Sequence, residues 1–215
     1  MVDLYVFDLD GTLIDSRRDL AESGNELLAE CGAPPLAEQE IGGMVGEGAA
    51  VLVARLFDAS GVRMPEDGLA RYLAIYDRRL LNHTRVYDGI LDVLEALHIR
   101  ASLAVLTNKP VAATRRILEA LNLTRYFRPD TVIGGDGAFP RKPNGDGLRH
   151  LIAAAGVPPS STLLVGDSLI DLRTARGAGV PFCAARYGFG FTTIPSSELT
   201  GATMVIHTAR DLLAV

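Results

Sequence analysis

Short apolar runs alternate along most of the chain with segments that have helical hydrophobic spacing. The runs suit buried parallel strands and lie at residues 4–7, 101–106, 131–133, 162–165, 180–185 and 204–206. The helical segments that we predict in this part of the chain lie at about 89–98, 111–121, 146–155 and 209–213. Strands that alternate with helices build a largely parallel sheet with helices on both faces. We therefore predict a Rossmann-like α/β fold.

The segment from residue 15 to residue 85 interrupts this alternation. It has no convincing strand run and shows helical spacing of apolar residues, for example at Leu20, Leu27 and Leu28. Glycine and proline clusters divide it into about four predicted helices. We predict a core domain formed by residues 1–14 and 86–215, and an inserted all-helical cap domain formed by residues 15–85. The two links between them are predicted hinges, which would let the cap close over a bound ligand.

Polar side chains follow the predicted strands at their carboxyl ends, where open α/β sheets bind ligands. Asp8 and Asp10 follow the first strand, Thr107 follows the run at 101–106, and Asp167 follows the run at 162–165. Asp171 lies four residues after Asp167, on the same face of the following helix. Neighbouring carboxylates repel each other unless a divalent cation binds them or one keeps a proton. The pattern favours a Mg²⁺ site, and a solvated Asp-Gly turn is the alternative.

Each candidate residue also has an ordinary structural interpretation. Lys142 taken alone is typical of a surface lysine, and Thr107 of a strand end or helix cap. We expect Asp15 and Asp19 to be residues at a helix start with no further role. Lys109 either contacts substrate or is exposed before Pro110, and we expect it to be exposed. The order of the motifs along the chain, each at a strand-to-helix junction, favours the functional interpretation of Lys142 and Thr107.

Together these motifs resemble those of the haloacid dehalogenase superfamily of phosphohydrolases. The segments between them are most similar to the phosphoglycolate phosphatase-like branch. They are Asp15-Ser16 with Asp19-Leu20, Val45-Gly46-Glu47-Gly48, Tyr87-Asp88-Gly89, Thr107-Asn108-Lys109-Pro110 and Gly166-Asp167-Ser168. One departure is visible, because many relatives have a second proline two residues after Lys-Pro. Here Asn144-Gly145 follows Lys142-Pro143, which affects the start of the next helix and leaves the lysine in place.

The resemblance implies a phosphatase that works through an aspartyl-phosphate. Asp8 would be the nucleophile, and Asp10 the general acid and base. The metal ligands would be Asp8, the backbone carbonyl of Asp10 and Asp167, with Asp171 behind them or joined through water. The implied cofactor is Mg²⁺. A carboxylate can approach a phosphate dianion only if fixed positive charge cancels their repulsion, which the metal and Lys142 would supply.

Further residues would hold the phosphoryl oxygens. The resemblance implies the Thr107 side chain and the backbone amides of Leu9, Asp10 and Asn108, together with Lys142. The expected partner is a small phosphorylated metabolite, and 2-phosphoglycolate is the leading candidate. A sugar-phosphate phosphatase, a pyrophosphatase and a phosphomutase of the same superfamily remain alternatives. A non-catalytic binding module is disfavoured because neither the nucleophile nor the metal-binding acids are missing, and a dehalogenase because it does not need the acid at Asp10.

Composition excludes several other classes of protein. A net charge of −5, with no basic stripe, argues against a nucleic-acid partner. Cys31 and Cys183 are far apart in sequence, which favours free thiols in a reducing compartment, and the four histidines form no zinc motif. We find no targeting segment and no apolar stretch approaching about 20 residues, so we expect a cytoplasmic protein without a membrane partner. The sequence leaves open whether it is a monomer or a homodimer.

Overall fold

The computed structural model describes residues 1–199 and 203–215. The strands of the described residues are β1 (Leu4–Phe7), β2 (Ile14–Asp15), β3 (Arg85–Val86), β4 (Ser102–Leu106), β5 (Val132–Ile133), β6 (Thr162–Gly166), β7 (Phe182–Ala185) and β8 (Thr203–Ile206). The α-helices are α1 (Arg17–Glu30), α2 (Glu38–Met44), α3 (Ala49–Ser60), α4 (Gly68–Arg79), α5 (Ile90–Leu97), α6 (Val111–Ala120), α7 (Asp146–Ala155) and α8 (Leu169–Ala178).

Strand β1 lies inside a parallel sheet whose described strands have the order β5-β4-β1-β6-β7-β8. It pairs in parallel with β4 on one side and with β6 on the other, and Phe7 lies opposite both Val105 and Val165. Because all three strands end at the same edge, the residues that follow them converge there. The backbone N–H of Asp8 still donates to the Val165 carbonyl at 2.9 Å, which fixes Asp8 at this edge.

Side chains of β1 alternate between two cores, as the two-residue period of a strand requires. Tyr5 and Phe7 belong to the core that also contains residues of α5 and α6, whereas Leu4 and Val6 belong to the core shared with α7 and α8. A strand that is apolar on both faces must be covered by helices on both faces. The predicted Rossmann-like α/β fold is thereby confirmed.

Helices α1 to α4 lie between β2 and β3, which pair antiparallel with each other. Asp19 of α1 anchors this junction, which corrects our expectation that it is only a helix-start residue. Its carboxylate is fully buried and accepts hydrogen bonds from the backbone N–H groups of His83 at 2.9 Å and Thr84 at 2.7 Å. The Thr84 hydroxyl donates to the same oxygen at 2.7 Å. The division into core and cap domains stays a prediction.

The other departures from the predicted elements are small. Strand β7 begins at Phe182 and not at residue 180, because Pro181 has no N–H to donate. The predicted final helix is a 3₁₀ helix, Ala209–Ala214.

Both cysteines are free thiols. Among the described residues, no helix combines the length and the apolar character that a membrane crossing needs.

Candidate active site

Asp8 forms the centre of a buried charge cluster at the carboxyl edge of the sheet. The Lys142 ammonium lies 2.8 Å from Asp8 Oδ1 and 2.6 Å from Asp171 Oδ1, and all three side chains are buried. Burial raises the pKa of Asp8 to about 7, against the lowering effect of Lys142, and the Asp171 charge adds to the increase. Burial disfavours the Lys142 ammonium, but Asp171 and Asp8 outweigh it and raise its pKa.

Asp171 orients the lysine and caps a helix at once. Ser168 is the N-cap of α8, and Asp171 is three residues further on, in a reciprocal capping box. Asp171 Oδ2 accepts from the Ser168 hydroxyl at 2.6 Å and from its N–H at 3.1 Å, while Oδ1 faces Lys142. Asp171 therefore stabilises the start of α8 and holds the Lys142 ammonium with the same carboxylate.

Asp167 lies in a niche lined by glycines. Its Oδ2 accepts a hydrogen bond from the Gly190 N–H at 2.7 Å. A Cβ atom built on Gly11 would lie 1.9 Å from the same oxygen, and one built on Gly188 would lie 2.3 Å from Asp167 Cβ. Burial raises the pKa of Asp167 well above its usual range, and Asp171 and Asp8 raise it further. No pattern in the sequence indicates that Gly188 and Gly190 contact Asp167, because they approach it only in the folded chain.

Asp10 points to a separate set of partners. Its Oδ1 accepts from the Ser16 hydroxyl at 2.5 Å, and its Oδ2 lies 2.9 Å from the Lys109 ammonium. Lys109 is buried, so our expectation of an exposed lysine is wrong. The reason is a partner from the helical segment formed by α1 to α4. The Lys109 ammonium donates to the Tyr76 hydroxyl of α4 at 2.8 Å and lies 4.6 Å from the centre of the Tyr76 ring.

Thr107 and Asn108 follow β4, next to Asp8, and both are buried. The Thr107 hydroxyl accepts a hydrogen bond from the backbone N–H of Lys109 at 3.2 Å. The Asn108 side-chain oxygen accepts from the backbone N–H of Lys142 at 2.8 Å. Its side-chain nitrogen donates to the backbone carbonyls of Lys142 at 2.9 Å and Gly46 at 2.8 Å. Asn108 thus fixes the backbone that carries Lys142 and joins it to the loop before α3. The side chain of Leu9 is buried in the core and leaves only its backbone for the site.

A cavity of about 260 Å³ opens onto these groups. Asp8, Asp10, Thr107, Asn108 and Asp167 line one side of it. The helical segment lines the other side, with apolar and aromatic residues that include Val45, Leu52, Tyr72, Leu73, Tyr76 and Leu80. The structure therefore brings the predicted site residues around one cavity, with Lys142 and Asp171 directly behind Asp8.

The acidic residues of the cluster suit a hard divalent cation. Oxygens of Asp8, Asp167 and Asp171 all lie within 4.8 Å of one another, and all three residues are buried. Carboxylate oxygens are the preferred ligands of Mg²⁺, and a cation would relieve the repulsion that raises the pKa of Asp8 and Asp167. Both Asp171 oxygens already contact Lys142 or Ser168, which leaves Asp8 and Asp167 as the carboxylates free to bind an ion among the three.

A family model described as haloacid dehalogenase-like hydrolase matches residues 5–185. This chain belongs to that family. The match spans β1 to β7 and includes every residue of the charge cluster around Asp8. The resemblance that the sequence motifs carry is confirmed.

Curated relatives extend over most of this hydrolase. A protein of Rhodospirillum rubrum named phosphoglycolate phosphatase is 42% identical over 200 residues, which cover 89% of this chain and 82% of that protein. A protein of Pseudomonas aeruginosa named phosphoglycolate phosphatase 1 is 37% identical over 218 residues, which cover 98% of this chain and 78% of that protein.

Solved structures share the whole fold. A protein of Haemophilus somnus, described as a predicted phosphoglycolate phosphatase, has a TM-score of 0.89 and 30% identity, and the match covers 99% of this chain and 97% of that one. An Agrobacterium tumefaciens protein, described as haloacid dehalogenase-like and of unknown function, has a TM-score of 0.82 and 27% identity, covering 100% of this chain and 97% of that one.

One signal in the sequence singles out Lys109. Of the 21 basic residues of the chain, Lys109 and Lys142 are the only lysines, and all the others are arginines. Both lysines are buried at the site. In a chain whose other basic residues are all arginines, a lysine in a loop after a strand is unusual and would have indicated a local role.

Proposed function

We propose that this hydrolase is a Mg²⁺-dependent phosphatase that cleaves a small phosphomonoester through an aspartyl-phosphate on Asp8. The observation that carries the proposal is the contact of Asp8 with Lys142, at 2.8 Å, beside the carboxylates of Asp167 and Asp171. The lysine charge reduces the repulsion between the Asp8 carboxylate and an incoming phosphate dianion. In-line attack by Asp8 on phosphorus then expels the leaving oxygen.

Asp10 is suited to move the proton. It lies two residues after the nucleophile, lines the cavity and is held by Ser16 and Lys109, so its carboxyl has a fixed position. We assign to it the protonation of the leaving oxygen and then the deprotonation of the water that hydrolyses the aspartyl-phosphate. The Thr107 side chain and the backbone N–H groups of Leu9, Asp10 and Asn108 would hold the phosphoryl oxygens.

Mg²⁺ would be held by Asp8, the Asp10 carbonyl and Asp167, with Asp171 behind them. When bound, the ion neutralises charge on the phosphoryl oxygens and helps to orient them. We assign to α1 to α4, as the predicted cap of residues 15–85, the exclusion of water while Asp8 is phosphorylated. Asn108 contributes to this closure through its hydrogen bond to the Gly46 carbonyl.

The substrate that we propose is 2-phosphoglycolate, which yields glycolate and phosphate. The named relatives at 42% and 37% identity support this choice, and a cavity of about 260 Å³ is large enough for a small metabolite. The helical side of the cavity is mainly apolar and aromatic, with few polar groups for the several hydroxyls of a sugar phosphate that a phosphomutase would bind.

Phosphate release from a panel of phosphorylated metabolites, with Mg²⁺ and with a chelator, tests the proposal. We expect 2-phosphoglycolate to give the highest kcat/KM, and Mg²⁺ removal or Asp8→Asn to abolish turnover. The matched carboxylate-to-amide control is Glu30→Gln on the exposed end of α1, which should retain full activity. Turnover retained by Asp8→Asn, or transfer of phosphate to a sugar without net release, would contradict the proposal.

A further inference from the structure

The Lys109 ammonium has more hydrogen-bond donors than close acceptors among the described residues. It carries three N–H groups. The described residues offer it two close acceptors, Asp10 Oδ2 at 2.9 Å and the Tyr76 hydroxyl at 2.8 Å. Lys109 also lines the cavity. One N–H therefore remains for an acceptor that enters the cavity.

Tyr72 supplies a second donor without a partner. It lies one turn before Tyr76 on α4, and the two rings stack with centres 6.0 Å apart. Tyr72 is 1% exposed and lines the same cavity, and among the described residues its hydroxyl has no hydrogen-bond partner. A buried hydroxyl without a partner is costly, and because Tyr72 lines the cavity, a ligand bound there can supply the missing acceptor.

The helical side of the cavity has no basic side chain among its described residues that could bind an anionic group. Lys109 is the only basic side chain among the described residues that line the cavity, and apart from Tyr72, Tyr76 and Asp77 the helical side is apolar. An anionic substituent on the leaving group would thus find its one cation at Lys109.

We propose that Lys109 and the Tyr72 hydroxyl form a subsite for a carboxylate on the leaving group of the substrate. This inference rests on the proposed function, because it assigns a binding site for the glycolate part of 2-phosphoglycolate. One methylene carbon separates that carboxylate from the ester oxygen. Lys109 contacts Asp10, the residue assigned to protonate this ester oxygen. A carboxylate bound at Lys109 would therefore hold the ester oxygen close to its proton donor.

The subsite distinguishes substrates by charge. A carboxylate would satisfy both the remaining Lys109 N–H and the Tyr72 O–H, whereas an alkyl group would leave both buried donors unpaired. Sites built to bind a polar group reject analogues that lack it far more strongly than apolar pockets reject a methylene. We therefore expect selectivity for short phosphomonoesters that carry a carboxylate on the carbon next to the ester oxygen.

The test compares 2-phosphoglycolate with ethyl phosphate, which has the same chain length and no carboxylate, in the Mg²⁺-loaded enzyme. In Tyr72→Phe, the kcat/KM ratio of 2-phosphoglycolate to ethyl phosphate should fall about tenfold, as expected for one lost hydrogen bond to a charged group. In Lys109→Met it should fall further. The matched control is Tyr126→Phe, because the Tyr126 hydroxyl bonds Glu95 outside the cavity and its loss should leave the ratio unchanged.

Calorimetric titration with glycolate gives a readout apart from turnover. Its dissociation constant should rise about tenfold in Tyr72→Phe and stay constant in Tyr126→Phe. If the wild type hydrolyses both esters and neither the ratio nor glycolate binding responds to Tyr72→Phe, the subsite is refuted and the phosphatase proposal stands. If the wild type releases phosphate from neither ester, the proposed function fails and the subsite fails with it.

Discussion

Lys142 balances the charges at the centre of the site. It is the one basic side chain in contact with Asp8 and Asp171 among the described residues, and Asp167 lies beside them. Burial raises the pKa values of Asp8 and Asp167, and the excess of negative charge left by three carboxylates facing one ammonium raises them further. The same excess of negative charge would favour a divalent cation, and a bound ion would relieve the repulsion among the three carboxylates.

Gly188 matters because of the space it leaves beside Asp167. A Cβ atom there would lie 2.2 Å from the Gly11 carbonyl oxygen and 2.3 Å from Asp167 Cβ. We expect Gly188→Ala to lower the free energy of unfolding by about 1–3 kcal/mol, through overpacking. It should also weaken Mg²⁺ binding about 10–100-fold, because Asp167 must move. Urea unfolding and calorimetric Mg²⁺ titration measure the two effects.

The matched control for this substitution is Gly177→Ala in α8, where an added Cβ meets nothing within 4 Å. It should leave Mg²⁺ affinity unchanged and stabilise the protein by up to about 1 kcal/mol, because alanine is the better helix former. Equal Mg²⁺ affinities in the two variants would contradict the role assigned to the glycine niche.

At the scale of residues, the sequence predicted the acids and Lys142 but not their partners. Asp8, Asp167 and Lys142 follow strands or precede a helix, and such positions can be recognised from the pattern alone. The expectation that Lys109 is exposed is wrong because its burial depends on Tyr76 of α4, which lies 33 positions earlier in the chain. Packing between distant segments leaves no periodic signal in the chain.

Helix α1 is attached to the start of β3 by a single buried side chain. The Asp19 carboxylate accepts hydrogen bonds from His83 and Thr84, residues 64 and 65 positions away. The antiparallel pairing of β2 with β3 lies next to this contact. The two chain crossings between the helical segment and the sheet are therefore held together, which restricts how the segment can move relative to the site.

Replacement of this carboxylate should be costly. In Asp19→Asn, the amide group would face backbone donors, and we expect the free energy of unfolding to fall by about 2–3 kcal/mol. The control is Glu30→Gln on the same helix, which removes the charge from an exposed ion pair with Arg71 and should cost less than about 1 kcal/mol. Chemical denaturation of both variants measures the difference, and similar losses would show that Asp19 is not the anchor.

The elements themselves were largely predictable, and their limits show where the pattern fails. Strands β1, β4 and β6 and helix α7 follow from apolar runs and helical spacing. Strands β2 and β3 have two residues each, which is too short for any periodicity to register. The segment Ala209–Ala214 has helical spacing of apolar residues but only six residues, and it forms a 3₁₀ helix.

At the scale of the whole molecule, the charge cluster couples the stability of the metal-free protein to pH. The pKa of Asp8 is raised from 3.8 to about 7 by folding. Between these values the folded state holds a proton that the unfolded state has lost, so the free energy of unfolding falls as pH rises through this window. Above it, Asp8 is ionised in both states and the destabilisation is complete.

We expect Asp8→Asn to remove this contribution, because an amide does not titrate. The free energy of unfolding of the variant minus that of the wild type should increase from pH 4 to pH 7, by at most about 1.4 kcal/mol per pH unit. Urea titrations of both metal-free proteins across this range measure it. A difference that is constant with pH would refute the raised pKa of Asp8.

The distribution of basic residues makes this molecule convenient to observe. Only two side chains of the chain are lysines, one next to the proposed nucleophile and one next to the proposed proton donor. Protein grown with ¹⁵N-labelled lysine would give two backbone amide resonances, each from within the candidate active site. Ligand binding, metal exchange and turnover should all be readable from a spectrum in which no other residue is visible.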